Sequence, residues 1–317
     1  MQQRQWSPRR EEVPHVLQST QACETSVLVA APFKNGQQPT GKAKAGDYDD
    51  HVKKMINDAC HQYEILLATE DPYPSPSTAV VWAARVWADV SRSSPSKFTL
   101  SNRIEKIITG RGSHARGALR DRLRPLIAST YGFSSEGSTR AKNQNISKHA
   151  YLLDSDASEP DARFHYADIS TRRGFAHNTV ILTVLKDHWF GSADAPGIKY
   201  MDQFSPVREV TLALMFTTIE YCIDQWATGI WDKTLIFSNK IYHSKYKQHL
   251  QHIQDWGRLD ADATRGVRQR MYDRARRASG APAATLPPAG LPEHARDRLR
   301  DDLVYLAAAD HSGEEGG

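Results

Sequence analysis

Apolar residues in this chain recur mainly at the three- and four-residue steps of an α-helix, and proline, glycine and short polar residues fill the intervals. From Asp47 onward, Val52, Ile56, Ala59 and Tyr63 step by four, three and four behind the acidic turn DYDD. This predicts a helix that ends before DPYPSPS, where Pro72, Pro74 and Pro76 forbid continuation. Ser77 is the expected cap of a second helix, STAVVWAARVWADV, with Val81, Trp82, Val86 and Trp87 on its apolar face. The run LSNRIEKIIT, carrying Ile104, Ile107 and Ile108, predicts a short third helix. Beyond Phe133 the pattern gives a polar loop, SSEGSTRAKNQN, then a helix ending in KHAYLL, then an irregular stretch through DSDASEPDARFHYADISTRRG.

The most apolar segments come later, in AHNTVILTVLKDHWF and PVREVTLALMFTTIEYCIDQWATG. The second reads as the central helix, with Ser205 as cap, Pro206 at the first helical position and Gly229 beyond the end. Two more helices follow, NKIYHSKYKQHLQHIQDW and ADATRGVRQRMYDRARRA. The expected fold class is therefore all-α, a single multi-helix globular domain over residues 48–279. Residues 1–47 read as a flexible polar arm. Residues 280–317 read as a linker, a peripheral helix PEHARDRLRDDLVYLAAAD and a tail.

Composition fits that plan. The chain has 317 residues, 39% of them hydrophobic and 25% charged, enough for one substantial core with polar segments left over. A formal net charge of +4 is too small to indicate a nucleic-acid binder by bulk charge, so local clusters must carry any such reading. Cys23, Cys60 and Cys222 are odd in number and far apart, which predicts neither a disulfide framework nor a cysteine metal site. No apolar run suits a signal peptide or a membrane span, so the expected location is cytoplasmic or nuclear rather than secreted or in a membrane.

The stretch GRGSHARGALRDRLR, residues 110–124, is the most distinctive in charge. Its glycines Gly110, Gly112 and Gly117 follow a helix rather than a strand and are spaced GxGxxxxG. It also lacks a Gly-Lys-Ser/Thr ending, so both nucleotide-loop readings fail. The remaining reading is a helix junction: Gly110 and Gly112 stop one helix, Ser113 caps the next, and Arg111 and His114 stand beside free amides that suit an anion.

Arg116, Arg120 and Arg124 repeat at four-residue steps, which sets like charges side by side and calls for compensation. Pro125 leaves the Asp121 carbonyl without an amide and predicts a bend. Leu119, Leu123, Leu126 and Ile127 share the apolar face of this helix. In the central helix Leu212, Met215, Phe216, Ile219, Cys222, Ile223 and Trp226 do the same, with Glu220 and Asp224 on the border. Meeting of the two faces predicts ion pairs between Arg116 or Arg120 and Glu220 or Asp224.

Other chemistry reads as structure. Glu220 and Asp224 lack the Glu-x-x-His partners of a carboxylate metal site, and His249 lies on the apolar stripe of Tyr242, Tyr246, Leu250 and Ile253, as a core histidine does, although His252 and Asp255 have ligand spacing. Asp154 and Asp156 open a calcium-like loop, but Glu159 stands where glycine is required. No GxSxG elbow occurs, and the tryptophans sit on apolar faces as core residues. No catalytic residue, metal or cofactor is expected. The run RGVRQRMYDRARR contains Arg265, Arg268, Arg270, Arg274 and Arg277 and is the second candidate for phosphate contact.

Taken together, ITGRGSHARGALRDRLRPLIASTYGF, GFAHNTVILTVL and FTTIEYCIDQWATG resemble a helical family of unassigned function that is abundant in mushroom-forming basidiomycete fungi, over about Tyr63 to Arg277. The resemblance implies a multi-copy fungal domain, often preceded by a polar tail, and transfers no site residues. The expected function is a non-catalytic helical module with a protein partner. The alternative is a nuclear, nucleic-acid-associated factor using the arginine-rich helices, and an enzyme of unidentified class comes third.

Overall fold

Helix α1 (Asp50–Thr69) begins where Asp49 accepts the Val52 amide at 2.8 Å, and it buries the predicted Val52, Ile56, Ala59 and Tyr63. The computed structural model describes residues 29–154, 157–158, 161–282, 298 and 300. Helix α2 (Pro76–Arg92) starts two residues earlier than its sequence suggests. Ser75 caps it, and Pro76 takes the first position, where a missing amide costs nothing. Helix α3 (Asn102–Thr109) is capped by Ser101. These three helices close a core around Tyr63, Val86, Trp87 and Ile104 that also contains Cys60, whose thiol burial pushes up to about 11.

The boundary expected at residue 47 is too late. Val29 exchanges backbone hydrogen bonds with Lys97 and Thr99, Phe33 stacks on Tyr48 at 4.8 Å, and Asp47 pairs with Arg103 at 2.6 Å. Residues 29–47 therefore cover the α1–α3 core: their apolar positions are too sparse for periodicity but land on that surface. The rest of the expected arm, and almost all of the expected C-terminal helix, lie outside the described residues.

Helix α4 (Arg111–Tyr131) continues unbroken through Pro125. Pro125 and Asp121 are both exposed, so water can serve the carbonyl that loses its amide. Helix α5 (Thr139–Leu153) is capped by Ser138 and takes up half of the segment expected as a polar loop. The irregular stretch that follows holds a small antiparallel hairpin, β1 (Tyr166–Asp168) with β2 (Arg173–Phe175). Helix α6 (Thr179–Trp189) leads through two single turns, α7 (Pro196–Lys199) and α8 (Met201–Phe204), to the central helix.

That helix, α9, spans Glu209–Asp224 and not Pro206–Ala227. Its start is delayed because the Val207 backbone is engaged elsewhere: its amide donates to the Arg268 carbonyl at 3.3 Å and its carbonyl accepts from the Arg268 side chain at 3.0 Å. Residues 211–219 of α9 are all buried, as befits a helix packed on every side, and Thr211 Oγ1 donates to the Ala68 carbonyl of α1 at 2.7 Å. Helices α10 (Asn239–Leu259) and α11 (Ala261–Ala278) complete the described fold. The second and larger core lies between α4, α6, α9, α10 and α11. It contains Cys222, whose thiol burial pushes far above its ordinary range. Apart from the hairpin the architecture is all-α, and among the described residues no helix is long and apolar enough to cross a membrane.

Candidate functional site

Most arginines of residues 110–124 are engaged within the protein. Arg111 Nε donates to Glu64 Oε1 on α1 at 2.6 Å. Arg116 is buried, where it donates to the Pro72 carbonyl and to Asn239 Oδ1 at 2.8 Å, with its guanidinium 4.7 Å from the Tyr73 ring. Arg120 and Arg124 share Asp121, and Arg124 also reaches Gln225 Oε1 at 3.1 Å and Tyr221 Oη at 3.2 Å. Arg122 is exposed.

The expected ion pairs are therefore not made, although α4 does pack on α9. Periodicity fixed which sides of the two helices meet but not how far along they meet. Arg124 arrives at the C-terminal end of α9, and Arg116, about two turns earlier, falls into the space beside Pro72. Nor does Ser113 cap α4. Gly110 keeps right-handed helical angles, φ −62° and ψ −13°, so α3 runs into α4 through one shared residue, and Ser113 lies inside the helix with Oγ 3.5 Å from the Gly110 carbonyl. His114 is exposed on the same first turn.

The acids of α9 are served by α5 and α10 instead. Glu220 accepts from Lys245 Nζ and from His249 Nε2, the latter at 2.7 Å. Asp224 contacts His149 Nε2 at 3.2 Å, the Tyr242 hydroxyl at 3.1 Å and Lys245 Nζ at 3.4 Å. Burial by itself would raise the Glu220 carboxyl, but the hydrogen bonds and charges of His249 and Lys245 outweigh it and hold the group at about 2. For Lys245 burial works against the charged form, yet Glu220 and Asp224 prevail and raise it. His165 packs edge-on to His249 with ring centroids 5.2 Å apart, and burial holds it neutral. This is a closed polar network in the second core, and among the described residues no group of three or more His, Cys, Asp or Glu is arranged to hold a metal ion.

The arginines of α11 divide into two sets. Arg268 is a structural tie, bonded to Val207 and 3.2 Å from Glu209. Arg265, Arg270, Arg274 and Arg277 are exposed. At about 100° per residue the last three share one side of the helix, while Arg265 falls on another flank.

Two surface features escape the sequence patterns. The first is a cleft of about 190 Å³ between α1, α4 and α6, with Ile65, Leu119, Trp189 and Leu214 in its wall and Arg111, His114 and Arg116 among its polar lining. The second is the connection from α9 to α10 together with the first turn of α10: Ile230, Trp231 and Ile236 on the connection and Ile241 on the helix are 53%, 43%, 74% and 50% exposed. Burial would ordinarily claim such side chains. The connection is held in place nonetheless: Asp232 and Gln225 exchange two hydrogen bonds at 2.7 and 2.9 Å, Tyr221 donates to the Leu235 carbonyl at 2.8 Å, and Asn145 Nδ2 donates to the Gly229 carbonyl at 2.9 Å. Leu235 and Phe237 turn toward the core while Ile236 turns out. Gly229 adopts φ +80°, and a Cβ there would lie 2.5 Å from the Lys142 carbonyl oxygen, so only glycine closes the turn. The sequence signal was the aliphatic run after Gly229, which has no helical period and no polar partner pattern.

Residues 58–256 match the DUF6532 family, described as a domain of unknown function. The match ends before α11, so the exposed arginine side of that helix lies beyond it. No curated protein and no solved structure matches the chain.

Proposed function

For this chain, which belongs to the DUF6532 family, we propose a role as a non-catalytic helical interaction module whose protein partner docks on the α9–α10 connection. The observation that carries this reading is the set of three large apolar side chains, Ile230, Trp231 and Ile236, projecting from a connection fixed by buried and part-buried hydrogen bonds, with Ile241 exposed on the first turn of α10. A docking surface of this kind loses little conformational freedom on binding, because its backbone is ordered in advance. Trp231 is the natural anchor. It is the residue type most enriched at binding hot spots, and the Arg124 guanidinium lies 6.0 Å from its ring centroid. An origin in basidiomycete fungi, carried by the three segments quoted above, belongs to the same proposal.

Nucleic-acid binding is supported by fewer groups. Four of the five arginines in residues 110–124 are committed to internal partners, which leaves Arg122 there and Arg265, Arg270, Arg274 and Arg277 on α11 as the exposed arginines of the two arginine-rich helices.

The two readings separate in one experiment: affinity capture from the source cells with the full chain and with a Trp231→Ser, Ile236→Ser double variant, each with and without nuclease. Loss of a hot-spot tryptophan costs roughly 2 kcal/mol or more, about thirtyfold in affinity, so a direct protein partner is expected to disappear with the variant and to persist through nuclease. Both positions are exposed, so thermal unfolding of the variant should match the parent. Partners that survive the double variant but vanish on nuclease treatment would replace this reading with the nucleic-acid one.

A further inference from the structure

Arg116 is the most buried arginine among the described residues, at 8% exposure, and no carboxylate among them lies within ion-pair distance of it. The other well-covered arginines behave differently: Arg103 has Asp47, Arg111 has Glu64, Arg163 and Arg172 have Asp154, and Arg268 has Glu209. Arg116 makes do with two neutral oxygens and the face of Tyr73. Asp71 acts on it through space, but no carboxylate oxygen among the described residues contacts the guanidinium. A buried charge with no counter-charge in contact is costly, and that cost falls when an anion is supplied at its side.

Arg116 lines the α1–α4–α6 cleft, where such an anion has access. The one acid in the lining, Glu64, is taken by Arg111, so the cleft keeps a net positive character. His188 also lines the cleft; its Nδ1 is buried without a hydrogen bond, and burial followed by the nearby Arg122 charge lowers the ring to about 4, so it stays neutral. The remaining wall is aliphatic and aromatic. At about 190 Å³ the space is below the roughly 300 Å³ at which pockets begin to enclose drug-sized ligands, which points to a small occupant.

We propose that this cleft binds a small amphipathic carboxylate, whose acid group pairs with Arg116 and whose apolar body lies against Ile65, Leu119, Trp189 and Leu214. The site is separate from the α9–α10 docking surface and stands or falls without it. Isothermal titration of the full chain with 3-phenylpropionate, 3-phenylpropanol and 3-phenylpropylamine tests it with one apolar body and three head groups. The acid is expected to bind at least about tenfold more tightly than the alcohol, the amine not at all. Arg116→Gln is expected to erase the preference while the alcohol still binds, and Ala118→Trp, which fills the cleft and leaves Arg116 in place, to abolish binding of all three. Because the head-group comparison is made on the unmodified protein, a misfolded variant does not blunt it. Acid and alcohol binding within tenfold of one another, or no binding of the acid at millimolar concentration, overturns the proposal.

Discussion

Glu220→Ala is expected to lower the unfolding free energy by about 3 kcal/mol, the low end of the range for breaking a buried ion pair. The side chain is only 14% exposed, and among the described residues it is the sole hydrogen-bond partner of His249, whose Nδ1 is already buried without one. Removing the carboxylate leaves the imidazole unpartnered at both nitrogens. The loss stays at the low end because Asp224 continues to serve Lys245. Urea unfolding of parent and variant at neutral pH measures it, and an effect below about 1 kcal/mol would show that water reaches this network.

The same residue sets a pH dependence of known sign. Its carboxyl titrates near 4.5 ordinarily and near 2 in the folded chain. Its contribution is fully present above pH 4.5, and it is lost as pH falls from there through 2, because the unfolded chain takes up the proton first. The stability gap between parent and Glu220→Ala should therefore close over that interval.

Asn145→Ala is the second large effect, roughly 3 kcal/mol. Asn145 is fully buried and makes three hydrogen bonds at once: Oδ1 accepts from the Ser134 amide at 3.0 Å, and Nδ2 donates to the Ser134 carbonyl at 2.8 Å and the Gly229 carbonyl at 2.9 Å. Truncation strands three backbone groups, each costing about 1 kcal/mol or more. The damage should also be directed: amide exchange between residues 229 and 237 is expected to speed up beyond what global destabilisation produces, since the Gly229 end of the docking connection loses its tether. Asn145→Asp keeps the acceptor and loses both donors, so it should retain the Ser134 amide contact and still release the connection. Uniform acceleration of exchange across the chain would contradict this role.

Much of the fold was legible in the sequence because rotation about a helix axis is written in its periodicity. Val52, Ile56, Ala59 and Tyr63 point inward as their spacing requires, and α4 and α9 meet along their apolar sides. Translation along the axis has no such signature, so the arginines of α4 were matched to the wrong partners. Glu220 takes its partners, Lys245 and His249, from α10; the apolar stripe marks His249 as a hydrogen-bonded core histidine, but periodicity does not say to which acid it bonds. Element starts failed for a related reason. Ser113 and Pro206 carry the residue types of helix starts, but the chain turned at Gly110 without leaving helical angles, and the backbone of Val207 was claimed by Arg268, more than sixty residues away. The candidate sites were harder still. A cleft exists only once three helices are assembled, and an exposed isoleucine is indistinguishable from a core one until the fold leaves it outside.

The two buried cysteines lie in different cores, Cys60 with α1–α3 and Cys222 with α4, α6 and α9–α11. Both thiols are largely buried and held protonated by their surroundings, so alkylation of either one is slow and speeds up when its own half of the molecule opens. With Cys23 replaced by serine, mass accumulated on each peptide over time gives two independent opening rates. The fold thus carries an internal means of asking whether its halves come apart together or in sequence.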